Sequence, residues 1–76
     1  RNEMEKKYFW HAMFKDAFGR TWWQDNPEPF DSEFAARRSM ESVTKSLNDL
    51  RDAVRIKHRI SSGVVSAPAE RFLRAM

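Results

Sequence analysis

Between Arg51 and Arg59 the side chains of Arg51, Arg55, Lys57, His58 and Arg59 stand close together, with Asp52 the one carboxylate among them. Arg71 and Arg74 follow on the same basic segment. Clustered guanidinium and ammonium groups are what contact with phosphates requires, and they equally suit an acidic protein partner. Trp22 and Trp23 offer flat rings of the kind on which unpaired bases stack. Adjacent residues cannot share one helix face, so one of the two is expected to turn inward and the other outward. An outward Trp23 beside Arg20 makes a second candidate contact, because tryptophan and arginine are the residues that most often anchor interfaces. Simpler accounts exist for each feature. Cations in the last turns of a helix favour its dipole, and a small core leaves tryptophan edges uncovered.

Other chemistry lacks the residues it needs. His11 and His58 are far apart, and neither has a second ligand at the spacing of a zinc site. Gly19 and Gly63 are the only glycines, so there is no glycine-rich phosphate loop. Asp25, Glu28, Asp31 and Glu33 form an acidic stretch without the residue order of a calcium loop. We therefore expect no catalytic residues, no metal site and no cofactor, and a protein that is not an enzyme.

The elements that would position the basic stripe are read as helices. Trp10, Phe14 and Phe18 recur every four residues, as do Phe9, Met13 and Ala17, and such rows lie on one helix face. A first helix is expected from Asn2 or Glu3 to Phe18, with Gly19 as a left-handed C-terminal cap. Residues 19–30 contain two prolines and read as irregular. Asp31 or Ser32 caps the next helix. From there Ala36, Met40, Val43, Leu47, Leu50 and Val54 recur at alternating spacings of four and three, the seam of a helix packed lengthwise on a partner. Nothing in residues 30–62 forbids one long helix, but Thr44, Ser46, Asn48 and Asp49 favour a break near Asn48. The adopted reading is a second helix over 32–47 and a third over 49–61, with the basic stripe around the third and Gly63 as its cap. Ser66, Pro68 and Glu70 read as the start of a short fourth helix.

The predicted class is all-α, a compact bundle of three main helices plus a short C-terminal one, forming a single helical domain over residues 1–76. Its expected core is Phe9, Trp10, Met13, Phe14, Phe18, Trp22, Phe34, Met40, Val43, Leu47, Leu50, Val54, Ile60 and Phe72, so Leu50→Asp is expected to unfold it. The bulk composition fits a small water-soluble fold: 76 residues, 41% hydrophobic and 33% charged, with ten aromatic residues and no cysteine. The absence of cysteine suits a reducing, cytoplasmic setting. No apolar run approaches a membrane span. The net charge of +3 is unevenly spread. Residues 21–50 carry three basic and six acidic groups, whereas residues 51–76 carry six basic and two acidic. Solvated helix faces account for this imbalance most simply. A chain that starts at Arg1 and stops within a helix-like pattern is expected to be a piece of a longer protein.

One ordered set of residues spans nearly the whole chain. Trp10-His11-Ala12-Met13 is followed by Phe18-Gly19 and Trp22, then by Leu47-Asn48-Asp49-Leu50, then by Ala67-Pro68-Ala69-Glu70-Arg71-Phe72 with Leu73 and Met76. This order resembles the small helical module of phage replication proteins that load the bacterial replicative helicase, the lambda P type. The chain departs from that pattern in having Met40 or Val43 where the module has a tryptophan, and in lacking its final cysteine. The resemblance implies a non-enzymatic adaptor in DNA replication that binds the replicative helicase. It implies no particular contact residue. Two other functions fit the residues: a small basic helical module that binds nucleic acid, and a helical domain that self-associates or docks on the rest of its own chain. Oligomeric state is open, and no membrane partner is expected.

Overall fold

The computed structural model describes residues 4–26 and 28–66. They form strand β1 (Met4–Lys15), strand β2 (Thr21–Asp25), helix α1 (Glu33–Arg51) and strand β3 (Val54–Ser66). The strands make one antiparallel sheet in the order β2-β1-β3, with α1 packed on one face. The all-α bundle is therefore overturned. The first expected helix is β1 and its hairpin turn, and the third expected helix is most of β3. Ser66, the expected start of the fourth helix, instead ends β3, and the rest of that expected helix, with Phe72, Arg71 and Arg74, lies outside the described residues.

The reason lies in the spacing itself. Four residues are both one helical turn and two full strand repeats, so Trp10 and Phe14 share a face in either conformation. The intervening positions decide between them. Tyr8, Trp10, Ala12 and Phe14 alternate with Lys7, Phe9, His11, Met13 and Lys15, and the first set turns towards α1. Aromatic residues suit such a pleated, half-buried surface. Trp10, Ala12 and Phe14 are fully buried together with Ala36 and Met40 from α1 and Ala53 from the turn before β3. Tyr8, Trp22, Phe30, Val43, Leu47 and Ile60 close the edges of this core. The expected core is corrected at Phe18, Phe34, Leu50 and Val54, which are exposed, Leu50 to 81%. Leu50→Asp is accordingly no longer expected to unfold the protein.

Gly19 does need positive φ (85°), but for a hairpin and not for a helix cap. Its N–H donates to Asp16 O (3.0 Å), and Asp16 N–H donates to Arg20 O (2.9 Å). The Asp16 carboxylate completes the turn by accepting from Phe18 N–H (2.9 Å), Arg20 N–H (3.0 Å) and Arg20 Nε (3.0 Å). Burial opposes its charge, yet these donors outweigh burial and hold the carboxyl below its ordinary pKa.

Helix α1 begins at the Ser32 cap, whose Oγ accepts from Ala35 N–H (3.0 Å). It is one helix through Asn48, where the adopted reading placed a break. It ends at Asp52, which takes the left-handed conformation (φ 54°) that glycine more often fills, with its N–H bonded to Asn48 O (3.1 Å). Asn48 Nδ2 donates to Ala53 O (3.2 Å), so the residue expected to interrupt the helix instead ties its end to the entry of β3. The seam of Ala36, Met40, Val43 and Leu47 packs on the chain's own sheet.

Register places β1 against both neighbours. His11 faces Asp25 on β2 and Arg59 on β3; Met13 faces Trp23 and Lys57; Phe14 faces Trp22 and Arg55, after a bulge between Met13 and Phe14. Beyond β2, Asn26 carries on the pairing. Its buried side-chain Oδ1 accepts from Trp10 N–H, and its Nδ2 donates to Glu28 O. Tyr8 and Phe30 then exchange backbone hydrogen bonds of 2.8 and 2.9 Å. Lys7 pairs with Asp31 and Glu5, and the hydrogen bond to Asp31, working against burial, raises its pKa above the ordinary lysine value. Among the described residues, no helix is long and apolar enough to cross a membrane.

Candidate nucleic-acid interface

The face of the sheet away from α1 is not covered by any element among the described residues. Alternation along the strands assigns its members. From β1 come Phe9, His11, Met13 and Lys15; from β2, Trp23 and Asp25; from β3, Lys57, Arg59, Ser61 and Gly63. Phe9 lies along Gly63, where an added Cβ would meet its ring at 3.6 Å. Phe9 and Met13 are half-buried between neighbouring rows, whereas Trp23 is 53% exposed. Lys57 Nζ stands over the Trp23 ring, 5.8 Å from its centroid. This contact keeps a cation beside the indole. Lys15, Lys57 and Arg59 set three cations against the single carboxylate of Asp25 in this part of the face.

A polar row crosses all three strands at His11. Its Nδ1 is 2.7 Å from Asp25 Oδ1, and its Nε2 is 3.1 Å from Ser61 Oγ. A carboxylate only accepts, so Nδ1 carries the proton and donates; in the neutral imidazole Nε2 then accepts from the Ser61 hydroxyl. The order Asp–His–Ser matches that of a nucleophilic triad. Here, however, the carboxylate is 66% exposed, and a solvated carboxylate stabilises an imidazolium far less than a buried one does. The row acts as a brace that fixes the orientation of Asp25. Beside it, His11, Trp23, Asp25 and Arg59 surround an open depression of about 410 Å³. No group of three or more His, Asp or Glu side chains among the described residues could hold a metal ion.

The basic stripe expected around one helix is dispersed by the strand. Lys57 and Arg59 stay together on the open face. His58, opposite Ala12, points to the other side. Arg55 also faces α1, where its guanidinium donates to Thr44 Oγ1 (3.1 Å) and pairs with Glu41 (3.1 Å). Arg51 is in the last turn of α1, 5.4 Å from the Trp22 ring centroid. Trp22 itself turns inward and stacks on Phe14 with centroids 5.9 Å apart. Arg20 is held in the hairpin turn by Asp16 and lies over Phe18, apart from Trp23. His11 and Asp25, which the sequence reading placed in no site, are central to the face. A period of two over residues 7–15 was the signal that could have placed His11 on this face, whereas Asp25 reaches it only through pairing between strands.

No protein-family model, curated protein or solved structure matches this chain.

Proposed function

We propose that this chain is a binding module for single-stranded nucleic acid and that the open face of the sheet is its platform. The observation that carries the reading is the half-exposed Trp23 standing between Lys57 and the depression that Arg59 borders. An indole offers any base a surface to stack on, and adjacent cations meet the backbone phosphates. Loss of one stacking aromatic costs about 1–3 kcal/mol, so Trp23→Ala is expected to weaken binding roughly 5- to 150-fold. The test is fluorescence anisotropy of a labelled oligothymidine titrated at several salt concentrations. Removing Lys57 and Arg59 together lowers the log–log salt slope by about 1.4, about 0.7 for each lost phosphate contact. Absence of salt-dependent binding at micromolar protein overturns the proposal. A cytoplasmic location belongs to the same proposal and rests on the lack of cysteine.

The helicase-loader resemblance supports a separate proposal, an adaptor that binds the replicative helicase. In its favour, Leu50, one of the residues that carry the resemblance, projects almost fully from the end of α1, where a protein partner can reach it. Co-elution with a replicative helicase hexamer tests it, and separate elution counts against it.

A further inference from the structure

We propose that the depression beside Trp23 selects guanine, with Asp25 reading the base. This inference rests on the single-strand reading above and narrows it.

Trp23 and Asp25 are two residues apart on β2, so their side chains rise from the same face, about 7 Å apart along the strand. Lys57 occupies one face of the indole, and an indole has two. A base stacked on the other face presents its edge to the groups around the depression, namely His11, Asp25 and Arg59. Asp25 is the only one of these that must accept hydrogen bonds. His11 takes one lone pair of Oδ1, and Oδ2 has no partner among the described residues. The brace from Ser61 through His11 fixes the carboxylate before any ligand arrives.

A fixed carboxylate with acceptor positions on both oxygens wants two neighbouring donors. Of the bases, only guanine offers them on its Watson–Crick edge, at N1–H and the N2 amino group. Adenine and cytosine put one amino donor next to a bare ring nitrogen, whose lone pair opposes a carboxylate. Thymine and uracil flank their single N–H with two carbonyl oxygens, which oppose it as well. The edge is accessible only when the base is unpaired, so the ligand is a single strand. Lys57 and Arg59 both lie on β3, across β1 from Trp23 and Asp25, placed to meet the phosphates that flank that nucleotide.

The experiment measures anisotropy with four labelled nonamers of thymidine whose central residue is dT, dG, dA or dC. The dG nonamer is expected to bind about 5- to 10-fold tighter than the others, the lower end of what bidentate readout of a base provides, because Asp25 is largely exposed. A fifth nonamer with central deoxyinosine lacks only the N2 amino group and is expected to lose most of that advantage, with the protein unaltered. Asp25→Ala is expected to level the four affinities while its circular dichroism spectrum stays that of the parent. Equal affinity for all four oligonucleotides, with binding still dependent on Trp23, overturns guanine selection and leaves the single-strand reading standing. Equal affinity for deoxyinosine and dG also overturns it. No binding to any of them overturns both readings.

Discussion

Met40→Ala isolates the contact between α1 and the sheet. Met40 is fully buried near the middle of the helix, against a core that includes Trp10, Ala12 and Phe14. Alanine is the best helix former, so the substitution leaves α1 intact and its cost is one of packing. Burying a methionine side chain contributes about 1.5–3 kcal/mol, and the cavity left behind brings the usual loss to about 2–5 kcal/mol. A fold of this length has about 4–11 kcal/mol in all, so the variant loses a large share of its stability. At about 4–8 °C per kcal/mol its melting temperature falls by roughly 8–40 °C. The companion variant is Leu50→Asp. Leu50 is 81% exposed in the last turn of the same helix, so its replacement is expected to cost no more than about 1 kcal/mol, from lost helix propensity and an anion at the helix C-terminus. Thermal melts of both variants, followed by circular dichroism, make the comparison. If Leu50→Asp melts as early as Met40→Ala, α1 presents a different side to the sheet and the packing described above is wrong.

Two further outcomes follow from particular hydrogen bonds. Asn26→Ala leaves the Trp10 N–H buried with no acceptor and is expected to cost about 1–3 kcal/mol in urea denaturation; an unchanged midpoint removes Asn26 from the pairing with β1. Asp16 has a folded-state pKa below its unfolded value of about 3.9, so its contribution to stability is complete above that value and is lost as pH falls through the lower, folded one. The stability advantage of the parent over Asp16→Asn is therefore expected to hold from neutrality to about pH 5 and to shrink below about pH 4. A constant difference down to pH 2 refutes the charge-based account of the turn.

Parts of this structure are visible in the residues before any coordinates. Ser32 caps α1, and Ala36, Met40, Val43 and Leu47 are the stripe it buries, as their spacing indicates. Gly19 marks a positive φ, but that conformation closes hairpins as readily as helices, and the residue alone does not distinguish them. At the other end of α1 the left-handed position is filled by Asp52, so the usual glycine signal is missing and the helical pattern seems to run on into β3. Val54 sustains the illusion, since it is exposed on an edge strand and yet continues the apolar spacing. The candidate site was hidden by the same ambiguity. Lys57 and Arg59 share a face only if the period is two, and only pairing between strands brings them near Trp23 and Asp25, which are distant in sequence.

The central position of β1 governs how the chain can reach this fold. The strand is made first, yet one of its sides is completed last, because Met4 pairs with Ser66 and Lys15 with Val54. The hairpin with β2 closes a short loop, whereas the pairing with β3 closes one that includes all of α1 and carries the larger closure entropy. Until then Tyr8, Trp10 and Phe14 lie on a strand with one open edge and no helix secured over them, the kind of exposed aromatic edge that pairs with other chains. Lys6, Lys7 and Lys15 lie on that same strand. In the finished molecule Lys7 is paired with Asp31 and Glu5 and Lys15 belongs to the open face, but on the unfinished one like charges on neighbouring copies discourage edge-to-edge association while β3 is still to arrive.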